Sequence, residues 1–299
     1  MTEKTECLGI CSLRYLEFQL GVNRDLLREV AAKAGSYYRP FPKHKGGKIR
    51  WIDNPIDPLK HVQRRINRWL LSDLKLPIHI HGGVRGCSPF TNASIHTQTA
   101  CVVTLDIGKC FPSITNDQVF YVWNSLLGCS PTISRLLTQL TTFEDHLPQG
   151  APTSTTLANL VLMPPDINAC AVAEREGLRI TRFVDDIAFS GVESRSVINP
   201  VVEILHHAGF RVPHRKVKVM PNWKPQVITG LLVNNKRIVV PRKNRSQVRA
   251  AIHQLKYLPA ESSRRTKSIT SILGRITHIE AIKKGPENGL RNYFDRITS

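Results

Sequence analysis

The sequence predicts an α+β fold with short strands gathered around acidic residues, and three observations carry that prediction. Two apolar stretches, Val102-Val103-Thr104-Leu105 and Ile187-Ala188-Phe189, each abut aspartates, at Asp106 and at Asp185-Asp186. Apolar residues at helical spacing recur before, between and after them, over 58–71, 115–141 and 196–210. The last 64 residues, from Lys236 on, hold 15 Lys or Arg against 4 acids and read as helices near 243–258, 261–283 and 286–297.

Composition narrows the partners. The chain has 299 residues, enough for one large domain or two to three packed subdomains. Its 42 Lys and Arg exceed its 23 acids, a formal net charge of +19 that favours a polyanion. No apolar run approaches the roughly 20 residues of a bilayer span. The first 20 residues carry Glu3, Glu6 and Glu17 and no signal-peptide core, so nucleic acid is the expected partner, with no membrane. Seven cysteines without a Cys-x-x-Cys pair argue against a zinc site and for reduced thiols in the cytoplasm.

Taken in order, residues 1–36 read as helical, with Asn23 as a helix cap. Tyr37 to Ile52 reads as a hairpin turning at Gly46-Gly47, with Lys45, Lys48 and Arg50 on its tip and second strand. Residues 58–71 form an amphipathic helix whose stripe is Leu59, Val62, Ile66, Trp69 and Leu70. His79 and His81 lack a further soft ligand nearby, so a metal role is not expected of them. Thr91-Asn92-Ala93-Ser94-Ile95-His96 starts a helix, in which Asn92 as a cap and His96 as a core residue are the bland readings. Pro148-Gln149-Gly150 makes a turn that opens into a helix whose small residues permit close approach of another chain. Residues 210–220 are basic and β-like, and 226–234 read as one strand turning at Asn234-Asn235.

The chemistry concentrates at the aspartates. Asp185-Asp186 reads as the tight turn between two short strands, and bare carboxylates among apolar strands are costly unless a cation meets them. With Asp106 at another strand's end, the set matches what two divalent ions about 3.5–4 Å apart require for phosphoryl transfer. Hard cations take carboxylate oxygens. A surface Asp-Asp turn is the competing reading of the pair alone.

In this order the motifs resemble the reverse transcriptase family from about residue 40 to the end. Leu105-Asp106 with Phe111 five residues on, Pro148-Gln149-Gly150 with Ser154, and Phe183-Val184-Asp185-Asp186 carry the likeness. Asn92-Ala93-Ser94-Ile95-His96 and Ile228-Thr229-Gly230 resemble the two boxes of retron enzymes within that family. Phe183-Val184 stands for the usual Tyr-Ala, Thr155 for the usual Pro, and Ile228 for Val; none of these removes a carboxylate.

The resemblance implies a right-hand polymerase, with fingers over 1–100 and 115–150, a palm with an antiparallel sheet over the rest of 101–235, and a basic helical thumb over 236–299. It implies that Asp106, Asp185 and Asp186 hold two Mg²⁺ ions and that Lys216, with Lys218 as rival, protonates the leaving pyrophosphate. Lys48, Arg50, Phe111, Gln149 and Gly150 would meet the dNTP, Phe111 as a gate against the ribose 2′-OH. Asn92, His96, Thr229, Gly230, Arg242, Lys243, Arg245 and Arg249 would contact RNA. Retron kinship further implies a cognate structured non-coding RNA, copied from a guanosine 2′-OH into RNA-linked single-stranded DNA (msDNA). An effector protein, antiphage defence and oligomers held through nucleic acid complete the implied setting. The alternatives are another bacterial class of reverse transcriptase, defence-associated or intron-type, and a catalytically silent nucleic-acid-binding scaffold.

Overall fold

The computed structural model describes residues 7–45, 47–234, 236–259, 261–283 and 288–298. Two helices open the chain, α1 (Leu13–Leu20) and α2 (Arg24–Ala32). Ser12 and Asn23 cap them by accepting from the Tyr15 and Asp25 amides. Strands β1 (Tyr38–Lys45) and β2 (Lys48–Pro55) pair antiparallel as expected. Gly46 and the side chains of Lys45 and Lys48 lie outside what is described.

Helix α3 (Leu59–Ile66) runs into a π turn at Asn67–Leu71. Leu59, Val62, Ile66 and Leu70 are buried, but Trp69 is 48% exposed, with the Arg65 and Arg68 guanidiniums 5.3 and 5.0 Å from its ring. A π turn holds more residues than an α turn, which shifts the phase and carries Trp69 off the buried face. After α4 (Pro89–Ser94), β3 (Cys101–Asp106) and the short α5 (Cys110–Ser113), the helix expected over 115–141 is interrupted. It consists of α6 (Asn116–Tyr121), a π turn at Val122–Leu126, and α7 (Pro131–Thr141). Gly128 takes a left-handed φ of 69°, and Pro131 starts the second helix where its missing N–H costs nothing.

The long α8 (Ser154–Arg175) leads into β4 (Arg179–Phe183) and β5 (Asp186–Gly191), then α9 (Ile198–His207) and β6 (Val217–Pro221). The single strand expected over 226–234 is instead a hairpin, β7 (Val227–Ile228) and β8 (Leu231–Leu232). Its two-residue loop, Thr229 and Gly230, has φ of 46° and 83°, as tight hairpin loops that match strand twist demand. Helices α10 (Arg242–Gln254), α11 (Ser263–Lys283) and α12 (Asn288–Thr298) close the chain. Among the described residues no helix is long and apolar enough to cross a membrane.

The central sheet is antiparallel in the order β4-β5-β3-β6. Alternation along its strands sends Val103, Leu105, Ile187 and Phe189 into the main core with α8 and the N-terminal helices. Val102 and Ala188 face the other way, into a second core with Ile228, Leu231 and the three C-terminal helices. The tail helices are thus seated on the sheet's second face.

His96 lies on that second face. Its Nδ1 is 2.7 Å from Ser190 Oγ on β5, and its Nε2 is 2.7 Å from Thr181 Oγ1 on β4. It bridges the two strands that bracket the paired aspartates. It is fully buried, and Asn92 is 1% exposed, so neither presents a side chain to RNA. This corrects the contact role expected for them. Burial, reinforced by Arg179, lowers the His96 pKa to about 3. The unfolded imidazole takes its proton near 6.5, so between those values the unfolded chain binds more protons and stability falls as pH falls. Unfolding titrations from pH 7 to 4 should show this loss, up to about 1.4 kcal/mol per pH unit, with a shallower fall in His96→Gln.

Candidate active site

Asp106 ends β3 and Asp186 begins β5, and the two are direct cross-strand partners. Directly opposed residues project on one face, so their carboxylates share a side of the sheet. Phe183 pairs with Asp186, which leaves Val184 and Asp185 as the two-residue turn. This corrects the turn assigned to Asp185-Asp186: Asp186 is a strand residue and Asp185 alone is carried by the loop. The Asp185 carbonyl accepts from the Ile107 amide at 2.8 Å, tying the turn to the end of β3. Val184 has a φ of 60°, a left-handed conformation that costs a β-branched residue roughly 1–3 kcal/mol.

The three carboxylates disturb one another. Burial, then Asp106 and Asp185, raise the Asp186 pKa to about 7. Asp185 is also raised, by burial and then by Asp106, against the pull of Lys216 and Arg50. The Lys216 ammonium donates to Asp106 Oδ1 and, at 3.1 Å, to the Ile107 carbonyl. Lys218, paired with Thr104 across β3 and β6, acts on Asp186. Each of the two candidate lysines therefore has a carboxylate as its neighbour.

Among the described residues no group of three or more His, Cys, Asp or Glu side chains stands close enough together to hold a metal ion as it is. The donor set nonetheless fits a hard divalent cation. It consists of three carboxylates, two of them raised in pKa by burial and by the neighbouring aspartates, and an ammonium rests against the third. Asp106, Asp185 and Asp186 are the residues that would hold it.

Other expected site residues converge from the hairpin and the Gln149 turn. Arg50 lies on β2, and its charge reaches Asp185. The Gln149 amide donates to Asp53 Oδ2 and the Asp53 amide to the Gln149 carbonyl, both at 3.0 Å. Gly150, at φ 132°, sits where an added Cβ would come 2.8 Å from Ile52 Cγ2. Phe111, on α5 just past Asp106, packs half-buried against the main core. Thr229 Oγ1 donates to the Pro89 carbonyl at 2.9 Å, which seats the 229–230 loop on α4 and leaves Gly230 exposed. Arg242, Lys243 and Arg249 lie exposed on α10, Arg249 5.9 Å over the Tyr293 ring, and Arg245 is half-buried. His79 lies 3.6 Å from Asp166 and His81 3.1 Å from Thr91, so the two histidines serve different neighbours.

Sequence reasoning assigned no role to three buried residues behind the turn, Arg182, Asn159 and Asp166. An arginine next to the acidic turn, within an apolar strand, is the signal that could have found them, since a buried cation demands partners.

Comparison with known proteins agrees with this geometry. The family model described as reverse transcriptase (RNA-dependent DNA polymerase) matches residues 41–258. The chain is 26% identical over 295 residues to the Retron Se72 reverse transcriptase of Salmonella heidelberg (strain 579083-10), covering 92% of this chain and 78% of that one. It is 28% identical over 240 residues to the Retron Ec86 reverse transcriptase of Escherichia coli, covering 78% and 75%. Among solved structures, a foamy viral protease-reverse transcriptase in complex with double-stranded DNA superposes with a TM-score of 0.50 at 16% identity. That match covers 87% of this chain and 43% of the viral one, and it speaks for the fold alone.

The raised carboxylates lead to a stability test. A group whose folded pKa is raised destabilises the fold as pH rises through the interval between its unfolded and folded values. In chelator at pH 8, Asp186→Asn should therefore melt higher than the parent protein. Divalent cation should raise the parent's melting temperature and move the variant's less. A lower melting temperature for Asp186→Asn in chelator would contradict the charge repulsion described here.

Proposed function

The chain belongs to the reverse transcriptase family, is of the retron type and is an RNA-directed DNA polymerase with a right-hand polymerase fold; from this we propose how it works and what it makes. The product is RNA-linked single-stranded DNA, copied from a cognate structured non-coding RNA that also supplies the primer, a guanosine 2′-OH. The observation that carries the reading is the facing pair Asp106 and Asp186 with Asp185 in the adjoining turn, set in a chain of retron kinship.

Divalent ions serve this family. Here two Mg²⁺ would supply activation of the attacking hydroxyl and charge relief at the leaving pyrophosphate. The three aspartates would hold them. Arg50, with Lys48 beside it in sequence, would neutralise the triphosphate from the hairpin. Gln149 and Gly150 would line the nucleotide, and the Phe111 ring would exclude a ribose 2′-OH. Lys216 would give its proton to the pyrophosphate once released from Asp106. Fingers over 1–100 and 115–150, a palm over the rest of 101–235 and a thumb over 236–299 would surround the duplex. The exposed cations of α10 and the Thr229-Gly230 loop would meet its backbone. An effector protein, antiphage defence and assembly through nucleic acid extend the proposal by kinship alone.

The test is the nucleic acid that co-purifies with the protein expressed from its native locus. A discrete species whose gel mobility changes with both RNase and DNase is expected, and it should be absent from Asp185→Asn. RNA alone, or equal amounts of DNA from the variant, would overturn the reading. Phe111→Ala should incorporate ribonucleotides roughly tenfold more readily relative to dNTPs, measured by single-nucleotide extension. Unchanged discrimination would remove Phe111 from the gate.

A further inference from the structure

Arg182 is the one Lys or Arg that is buried among the described residues, at 0% exposure. A guanidinium out of water must have its donors met. Helix α8 meets most of them. Nε and Nη2 both lie 2.7 Å from Asp166 Oδ2, Nη1 donates to Asn159 Oδ1 at 2.8 Å, and Nη2 donates to the Asn159 carbonyl at 3.3 Å. Nη1 also donates forward along its own chain, to the Val184 carbonyl at 2.9 Å. Val184 is the left-handed residue of the turn, and Asp185 follows it.

The segment 79–83 completes the seat. The Arg182 amide donates to the His79 carbonyl at 2.7 Å, and the His81 amide donates to the Arg182 carbonyl at 2.8 Å. Asn159 Nδ2 donates to the Gly82 carbonyl at 2.8 Å. A Cβ at Gly82 would fall 2.2 Å from the Val184 amide nitrogen, so the two backbones touch there without room for a side chain. Arg182 pairs with Ile187, on the sheet face opposite Asp186. Its guanidinium is therefore behind the carboxylates and cannot be their counter-ion.

We propose that Arg182 is a positioning residue for polymerisation: by holding the Val184 carbonyl it keeps the strained turn that aims Asp185, and through Asp166 and Asn159 it fixes that aim to helix α8. This rests on Asp185 being a metal-holding carboxylate. Helix α8 begins four residues after Gly150, so one rigid element carries both the nucleotide-side turn and the anchor of the carboxylate turn. Lysine keeps the charge but not the planar fork that reaches Asp166, Asn159 and Val184 together. Glycine at 184 adopts the left-handed conformation without a steric penalty, so it relieves the turn of its need for Arg182.

The test is a double-mutant cycle in the full-length protein, Arg182→Lys and Val184→Gly, singly and combined. Mn²⁺ binding by paramagnetic resonance is read beside steady-state extension of a DNA primer on an RNA template. Arg182→Lys should weaken Mn²⁺ binding on the order of tenfold and lower kcat, with the dNTP KM changed by less than about twofold. In the Val184→Gly background the same substitution should cost about threefold or less on both readouts, a coupling between the two positions. Equal losses in both backgrounds, or unaltered Mn²⁺ affinity in Arg182→Lys, would overturn the role. If Arg182→Lys shows no cooperative melt, Asn159→Ala is used, which keeps the Asp166 pair. Weaker Mn²⁺ binding there supports the role, and parent-like binding overturns it. Asp185→Asn separates the two layers: full Mn²⁺ affinity and extension in that variant would remove the metal-site reading itself. Their loss there, with an additive cycle, would remove only Arg182.

Discussion

Three carboxylates brought together where two strands meet are the constraint around which this molecule is arranged. The apolar residues of β3 and β5 give them no polar partner, and burial with mutual repulsion lifts Asp186 to about 7. The fold tolerates the cluster because it is placed at strand ends, half open, with Lys216 on one member and Lys218 and Arg50 nearby. A site of this kind is weakly stable alone and is completed by cations and by a polyanionic substrate. The rest of the scaffold supplies rigidity that the cluster lacks.

That rigidity comes from two cores on opposite faces of one four-stranded sheet. The α8 face holds the turn from behind through buried polar bonds. The other face joins His96, the 229–230 loop on α4 and the C-terminal helices to the same strands. The β4–β5 hairpin is thereby gripped on both sides, which suits a polymerase that must repeat one geometry over many additions.

Much of this was legible in the sequence. The strand ending at Asp106, the cap at Asn23, the hairpin read over 37–52 and the C-terminal helices follow from period, caps and turn chemistry, which act over a few residues, whereas Asp186 proved to be a strand residue and not part of the turn. What was not legible depends on partners far along the chain. Trp69 is displaced by a π turn that a period of 3.6 cannot foresee. His96 looks like an exposed recognition residue until Thr181 and Ser190, some 85 to 94 positions away, are seen to claim both its nitrogens. The loop at Thr229-Gly230 hid within an apolar run because threonine rarely takes a left-handed conformation. Arg182 stood in plain view beside the acidic turn, yet only the fold shows that helix α8 surrounds it.

The pairing of Asp53 with the Gln149 turn has a consequence for how the pocket can vary. One backbone–backbone bond, one bond from the Gln149 amide to the Asp53 carboxylate and the close approach of Ile52 to Gly150 tie the root of the β1–β2 ribbon to the turn before α8. If Gln149 and Gly150 line the nucleotide as proposed, the mouth of that site would be gauged at the ribbon's root, and the free end of the ribbon would set only its reach. Lengthening or shortening that end would leave the aperture unchanged. A change at Ile52, Asp53 or Gly150 would alter it directly, so drift in substrate preference would be concentrated at these three contacts, of which only Asp53 is buried, and spared at the far end of the ribbon.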